Sequence, residues 1–289
     1  MTHRMYTYFK YTLGITAMLS LVLVGCNKDD DPANKNNKVK SGVQVGFDKD
    51  NNEKTIQAHL ASLTKLPDML PFENAVIHDP APERELRPPD KTHTGKNVVR
   101  IYEAIANGMW DKLSFKNDGG LPIKYQAVIT TDMGDVRIDL NHRAAPNHVR
   151  NFICLAKTGY FDGMSFYYSI NRKVEDQTVA YIETGCPRGT GEFGSGSIGY
   201  WLKPELHEKA IHEEGVIGAA RGYDDNSAAC RFYLTAEAMP QMDDSFTVFG
   251  KITKGLDIVR AINKRETQDN DALKQPVTIR SVAIQAVAE

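Results

Sequence analysis

The run Thr130-Thr131-Asp132-Met133-Gly134-Asp135-Val136-Arg137-Ile138-Asp139-Leu140 sets the fold class of the chain. Met133-Gly134 is a tight-turn signal between two strand-like segments, Tyr125 to Thr131 and Asp135 to Leu140. Val136, Ile138 and Leu140 alternate with Arg137 and Asp139, so one face is apolar and the other wet. Downstream, Ala145-Pro146 opens a helix with Pro near its first turn and Val149, Phe152 and Ala156 on one face. Gly159 closes that helix. Further strand-like runs follow at Gly215 to Ala220, Arg231 to Thr235, Phe246 to Ile252 and Val277 to Ile284, with a short helix at Leu256 to Asn263. Many short strands, two helices and no βαβ rhythm predict a mainly β domain, a closed antiparallel barrel over residues 121–289.

Upstream the texture differs. Val98, Ile101, Tyr102, Ile105, Met109 and Leu113 form one stripe of a helix predicted over Asn97 to Leu113. Ile56, Leu60 and Leu63 mark a shorter helix that Pro67 and Pro71 end. Residues 79–90 are proline- and charge-rich, an extended surface segment. Residues 55–120 are therefore a short helical extension, too small for its own core and expected to pack on the barrel. Residues 26–54 are Asn-, Asp- and Lys-rich, which fits a flexible tether.

The first 25 residues are predicted to be a signal peptide. Arg4 and Lys10 precede an uncharged apolar run of about 14 residues, too short for a bilayer core that needs roughly 20. It ends in Leu23-Val24-Gly25-Cys26, which resembles a bacterial lipobox; the resemblance implies lipidation of Cys26. The following Lys28-Asp29-Asp30-Asp31 resembles the surface-export signal of some bacterial lipoproteins, although the same charges would also solvate a tether. The protein is thus expected to be exported and held at a bacterial membrane, on the periplasmic or cell-surface face of the outer membrane, by a lipid anchor alone.

The whole chain of 289 residues carries 35 basic and 37 acidic side chains, a formal net charge of -2. That balance gives no support for nucleic acid as a partner, since phosphate binding needs a basic surplus on one face. The four cysteines are Cys26, Cys154, Cys186 and Cys230; none forms a CxxC pair, and no Cys/His cluster has zinc spacing. No metal and no cofactor is expected. Gly189 to Gly194 and Gly194 to Gly199 each match GxGxxG, but without the strand–helix context a dinucleotide needs. His207 and His212, five apart, lack a third ligand and are taken as satisfied loop or core histidines.

Four collinear segments resemble the cyclophilin-type prolyl isomerases: the 130–140 hairpin, Ala144 to Phe152, Gly159 to Phe166, and Asp243 to Ile252 with Gly255 to Val259 after it. Residues 181–201 resemble a divergent bacterial branch of that family. The resemblance implies a cyclophilin-like barrel, isomerisation of X-Pro bonds in exported polypeptides, proline-containing polypeptides as partners, and a monomer. It also implies a groove, and there this chain departs from the pattern. The family's His-Arg pair after the strand phenylalanine is Tyr167-Tyr168 here, following Phe166, and residues 171–178, with Arg172, are lengthened. A groove glutamine corresponds to Glu183, a second to Arg231, and the Ala-Asn pair to Ala220-Arg221. The proline-pocket aromatic corresponds to Tyr233, the groove histidine to Phe246, and Met242 holds the apolar position before it.

An X-Pro amide resists rotation through a barrier of about 18–20 kcal/mol. Its catalyst needs an apolar slot for the pyrrolidine ring and a donor that favours the twisted amide. Phe166, Tyr167, Ala220, Arg221, Tyr233, Met242 and Phe246 are the candidate binding residues, with Ile182 beside them; Phe166 and Ile182 also fit plain barrel core. Arg231, Glu183 and Tyr168 are the candidate catalytic residues, with Arg231 and Glu183 expected to pair across the groove. A structural salt bridge would give the same pairing. Export permits disulfides, so a Cys186–Cys230 bond is expected, with Cys154 a buried free thiol. Two other readings stay open: a groove that binds proline segments without accelerating them, and a vestigial groove on an interaction lipoprotein.

Overall fold

The computed structural model of the chain describes residues 67–78, 87–191 and 196–288. The expected signal, lipidation site, tether and first helix fall within residues 1–66, outside the described residues. The extension enters as α1 (Phe72–Ala75) and a two-residue strand β1 (Val76–Ile77). It continues as α2 (Val98–Ala104), a wider turn (Ile105–Met109) and α3 (Trp110–Lys112). One straight helix was the expectation over this last stretch. The chain instead kinks at Asn107–Gly108, where Gly108 takes φ +116°, a conformation that ends α-helical hydrogen bonding.

Eight antiparallel strands close a barrel. They are β2 (Ile123–Thr131), β3 (Gly134–Leu140), β4 (Ser165–Val174), β5 (Gln177–Thr184), β7 (Val216–Ala219), β8 (Phe232–Thr235), β9 (Val248–Lys254) and β10 (Ala272–Ala288). Their order around the barrel is β10-β2-β3-β9-β7-β8-β5-β4, with β4 pairing back onto β10. The short β6 (Trp201–Leu202) pairs outside the barrel with β1. The lengthened 171–178 segment is the far end of the β4–β5 hairpin, turning at Glu175–Asp176 with Arg172 paired to Asp271. On β3, Val136, Ile138 and Leu140 are buried while their neighbours are not, the alternation the sequence sets. Phe166, Ile182, Leu234, Phe232 and Ile217 fill the interior, each burial contributing about 2–3 kcal/mol.

Two helices cover the barrel, α4 (Pro146–Lys157) and α5 (Leu256–Asn263). The sequence suggests one apolar face for α4, yet every residue from Pro146 to Ala156 is buried. Two parts of the chain share its polar face: Glu205 accepts from the Asn147 and His148 backbone N–H groups at 3.1 and 2.9 Å, and the extension covers Arg150. Arg150 donates from Nη1 to the Leu70 carbonyl at 2.9 Å and from Nη2 to the Leu113 carbonyl at 2.8 Å. The Trp110 indole N–H donates to Leu70 as well, at 3.0 Å. Phe72 meets Trp110 and Tyr200 edge-on, with centroids 5.6 and 5.2 Å apart. Carbonyls answer the two terminal nitrogens of this buried cation, which offsets part of its desolvation, while its buried Nε has no partner among the described residues.

Candidate active site

Four strands lay out the groove. Cα partners run Tyr168–Glu183, Glu183–Tyr233 and Tyr233–Gly218, so β4, β5, β8 and β7 place these residues in one row. Glu183 is buried (5% exposed) and accepts three hydrogen bonds at Oε1. Arg231 gives two of them, from Nε at 2.8 Å and Nη2 at 2.6 Å. The Tyr167 hydroxyl gives the third, at 2.8 Å. Burial works against the Arg231 charge, but the Glu183 carboxylate and then the Tyr167 hydroxyl hold the guanidinium charged above its ordinary value. Burial, followed by the Glu183 charge, pushes the Tyr167 hydroxyl well up. The expected pairing of Arg231 with Glu183 is therefore present.

The tyrosine beside that pair is Tyr167 and not the expected Tyr168. The Tyr168 hydroxyl lies 3.4 Å from Asp271 instead. Gly191 and Gly196 lie close against Tyr167 and Arg231. A Cβ on Gly191 would stand 2.4 Å from Tyr167 Cε2, and one on Gly196 would stand 3.1 Å from Arg231 Cδ.

Beside the ion pair is a separate apolar cluster of Ala220, Tyr233 and Met239, with Val179, Tyr181, Met242 and Phe246 packed on it. Tyr233 is its floor, with Tyr181 at 5.5 Å and Phe246 at 6.4 Å between ring centroids. Arg221 lies across Phe246, its Cζ 4.4 Å from the ring centroid, and donates to the Ser245 carbonyl. Such a stacked guanidinium contributes roughly 0.5–2 kcal/mol. Ala220, Arg221, Tyr233, Met242 and Phe246 are thus brought together as expected. Phe166 is not among them. It is fully buried in the barrel core with Ile182, 6.3 Å from the Phe232 ring, because it points to the inner side of β4.

The expected Cys186–Cys230 bond is not formed: both are buried free thiols, as is Cys154. Burial pushes the Cys230 thiol up to about 12, with the Tyr160 hydroxyl as its hydrogen-bond partner. A thiol so held is a poor thiolate and a poor partner for oxidation. Sequence reasoning missed Met239 and Tyr181 in the pocket. It also missed the contact that His212 makes with Tyr233, Nε2 to hydroxyl at 2.7 Å. A histidine followed at long range by Met-Pro-Gln-Met-Asp is no local signal for that contact.

Residues 126–284 match the family described as cyclophilin type peptidyl-prolyl cis-trans isomerase. A peptidyl-prolyl cis-trans isomerase of Schizosaccharomyces pombe is 30% identical over 160 residues, 55% of this chain and 96% of its own. One from Arabidopsis thaliana is 27% identical over 201 residues, 70% of this chain and 31% of its own. The chain thus spans about a third of the length of several larger relatives it matches. The fold is that of a cyclophilin type isomerase of Cryptosporidium parvum, with a TM-score of 0.50, 22% identity, and coverage of 56% of this chain and 98% of the other. With most of the barrel, both of its helices and the apolar cluster in these matched residues, the chain belongs to the cyclophilin-type peptidyl-prolyl cis-trans isomerase family.

Proposed function

We propose that the groove catalyses cis–trans isomerisation of X-Pro bonds in exported polypeptides through an atypical active site. The Tyr233, Met242 and Phe246 pocket takes the pyrrolidine ring, and Arg231, set by Glu183, supplies the donor to the twisting amide. The observation that carries this reading is a charged guanidinium, its side chain only 11% exposed, two residues before Tyr233 of the apolar cluster. The side-on edge of Arg231, Nε and Nη2, is turned to Glu183. By the planarity of the group, the end-on edge with Nη1 points away from the carboxylate. A charge-assisted bond made only in the twisted state lowers the barrier by about 1.5–3 kcal/mol, roughly 10- to 150-fold in rate. No nucleophile, metal or cofactor is needed, because no covalent bond changes.

Export rests on the charged start, the apolar run and the Leu23 to Cys26 sequence. The protein then acts on proline-containing polypeptides as a lipid-anchored monomer. The test is a proline-peptide isomerisation assay on a soluble form of the chain beginning near Lys28. Arg231→Lys should lower kcat/KM while peptide affinity holds. Unchanged turnover would remove Arg231 from the mechanism. A second reading, a peptide-binding groove without acceleration, is favoured by the commitment of Nε and Nη2 to Glu183. It predicts peptide binding with no rate above the uncatalysed one.

A further inference from the structure

His212 lies in the loop before β7 with its side chain fully buried. Its Nδ1 is 2.7 Å from Asp243 Oδ1, and its backbone N–H donates to the same oxygen at 2.6 Å. Its carbonyl accepts from the Met239 N–H at 2.8 Å. The imidazole thus holds the turn through Asp243, and the His212 backbone holds it through Met239. On its other side Nε2 is 2.7 Å from the Tyr233 hydroxyl, and the two rings are nearly parallel with centroids 6.0 Å apart. Tyr233 reaches this far because Gly218 lies beneath it. A Cβ on Gly218 would come within 2.2 Å of Tyr233 Cζ.

The proton positions follow from the partners. A carboxylate accepts only, so Nδ1 carries the hydrogen toward Asp243, and Nε2 is left to accept from the Tyr233 hydroxyl. We propose that His212 is a positioning residue: through Tyr233 it fixes the floor of the proline pocket, and proline binding weakens when its imidazole takes a second proton. The inference rests on the reading of that pocket as the proline site. A doubly protonated ring donates from both nitrogens. The Tyr233 hydroxyl must then turn to accept, and its own hydrogen loses its acceptor at a site 2% exposed. Such a buried, unanswered donor is costly enough to move the ring.

The groups facing His212 are few. Asp243 comes from the turn and Tyr233 from β8, with Tyr181, Arg221 and Glu183 acting on Tyr233 from behind. On its own segment Glu213 and Glu214 pair outward, with Lys251 and Arg260. Burial lowers the tendency of His212 to protonate, and Asp243 opposes this only in part. The neutral, latched form therefore holds at pH 7 and gives way below the ordinary histidine value of 6.5.

The test is proline-peptide affinity of the soluble chain from pH 8 to 5, with the Tyr233 ring signals followed by NMR over the same range. Affinity is expected to fall about tenfold on acidification, as a rise in KM with kcat little changed. The Tyr233 signals should move with the same midpoint. Both effects should vanish in His212→Gln, which keeps Asp243, and the affinity step should vanish in Tyr233→Phe. A flat wild-type profile, or a step surviving in His212→Gln, overturns the proposal. If no peptide binds at any pH, the functional reading fails, and the Tyr233 signals alone decide. Movement lost in His212→Gln sustains the latch, and still signals refute it.

Discussion

Glu183→Ala is the most informative perturbation of the groove. Glu183 is 5% exposed and the Arg231 side chain 11%. The variant leaves the guanidinium with two hydrogen bonds broken and strands the Tyr167 hydroxyl, with Gly191 and Gly196 packed against them. Removing one partner of a buried ion pair costs about 3–5 kcal/mol, since the remaining charge is left without compensation. For a domain of this size about 1 kcal/mol corresponds to roughly 2–4 °C, so Tm should drop by about 6–20 °C. Glu183→Gln should cost less, because the amide oxygen still accepts. The double variant Glu183→Gln with Arg231→Gln puts a neutral pair in the same space and should lie within about 1 kcal/mol of wild type. A urea-unfolding cycle over these variants should give a coupling of at least about 2 kcal/mol. Single-variant costs under about 1 kcal/mol that simply add would refute the buried pair. The same double variant, folded but without its cation, also tests catalysis: full turnover there would exclude Arg231 as the donor.

Three further outcomes are expected. Gly218→Ala forces the Tyr233 ring off the strand, since a Cβ would come within 2.2 Å of it; overpacking of this kind costs about 1–3 kcal/mol, and both Tm and peptide affinity should fall, whereas an unchanged affinity would argue that Tyr233 is not the pocket floor. Burial pushes the Cys154 and Cys230 thiols up to about 12, so at pH 8 alkylation should modify them only after unfolding, and non-reducing intact mass should show no bond between Cys186 and Cys230. A fatty-acid analogue should label the exported wild-type chain and not Cys26→Ala; equal labelling of both would remove the lipid anchor.

The barrel was legible because its signals are local. The turn at Met133-Gly134 and the alternation of Val136, Ile138 and Leu140 specify one hairpin, and the Pro146 start and Gly159 stop specify one helix. The groove was legible position by position for Glu183, Arg231, Ala220 and Tyr233, since a strand's register fixes which residues share a face. Register did not decide between adjacent tyrosines. Tyr168 is the Cα partner of Glu183, yet the Tyr167 hydroxyl is the one that reaches the carboxylate. The full burial of α4 was not legible either. It follows from distant partners, Leu70 and Leu113 lying 80 and 37 residues from Arg150 and Glu205 lying 57 from His148, and no local pattern encodes contacts of that range. His212 is the same case, with partners 21 and 31 residues away.

The departures at the groove make physical sense only as a set. A guanidinium at 231 needs an acid, and Glu183 supplies it. Glu183 retains an acceptor lobe that Tyr167 fills, and the Tyr167 ring fits there only because position 191 has no side chain. Restoring glutamine at 231 alone would strand a buried carboxylate with one neutral donor, and restoring it at 183 alone would strand a cation. Each single reversal is therefore expected to be worse than either complete arrangement. The apolar cluster adjoins this unit, with Tyr233 the Cα partner of Glu183, but has its own supports: the Tyr233 hydroxyl donates to His212, and its ring packs on Tyr181 and Phe246. On the proposed reading, changes at 183 and 231 should therefore act mainly on kcat while changes at 212 and 218 act mainly on KM.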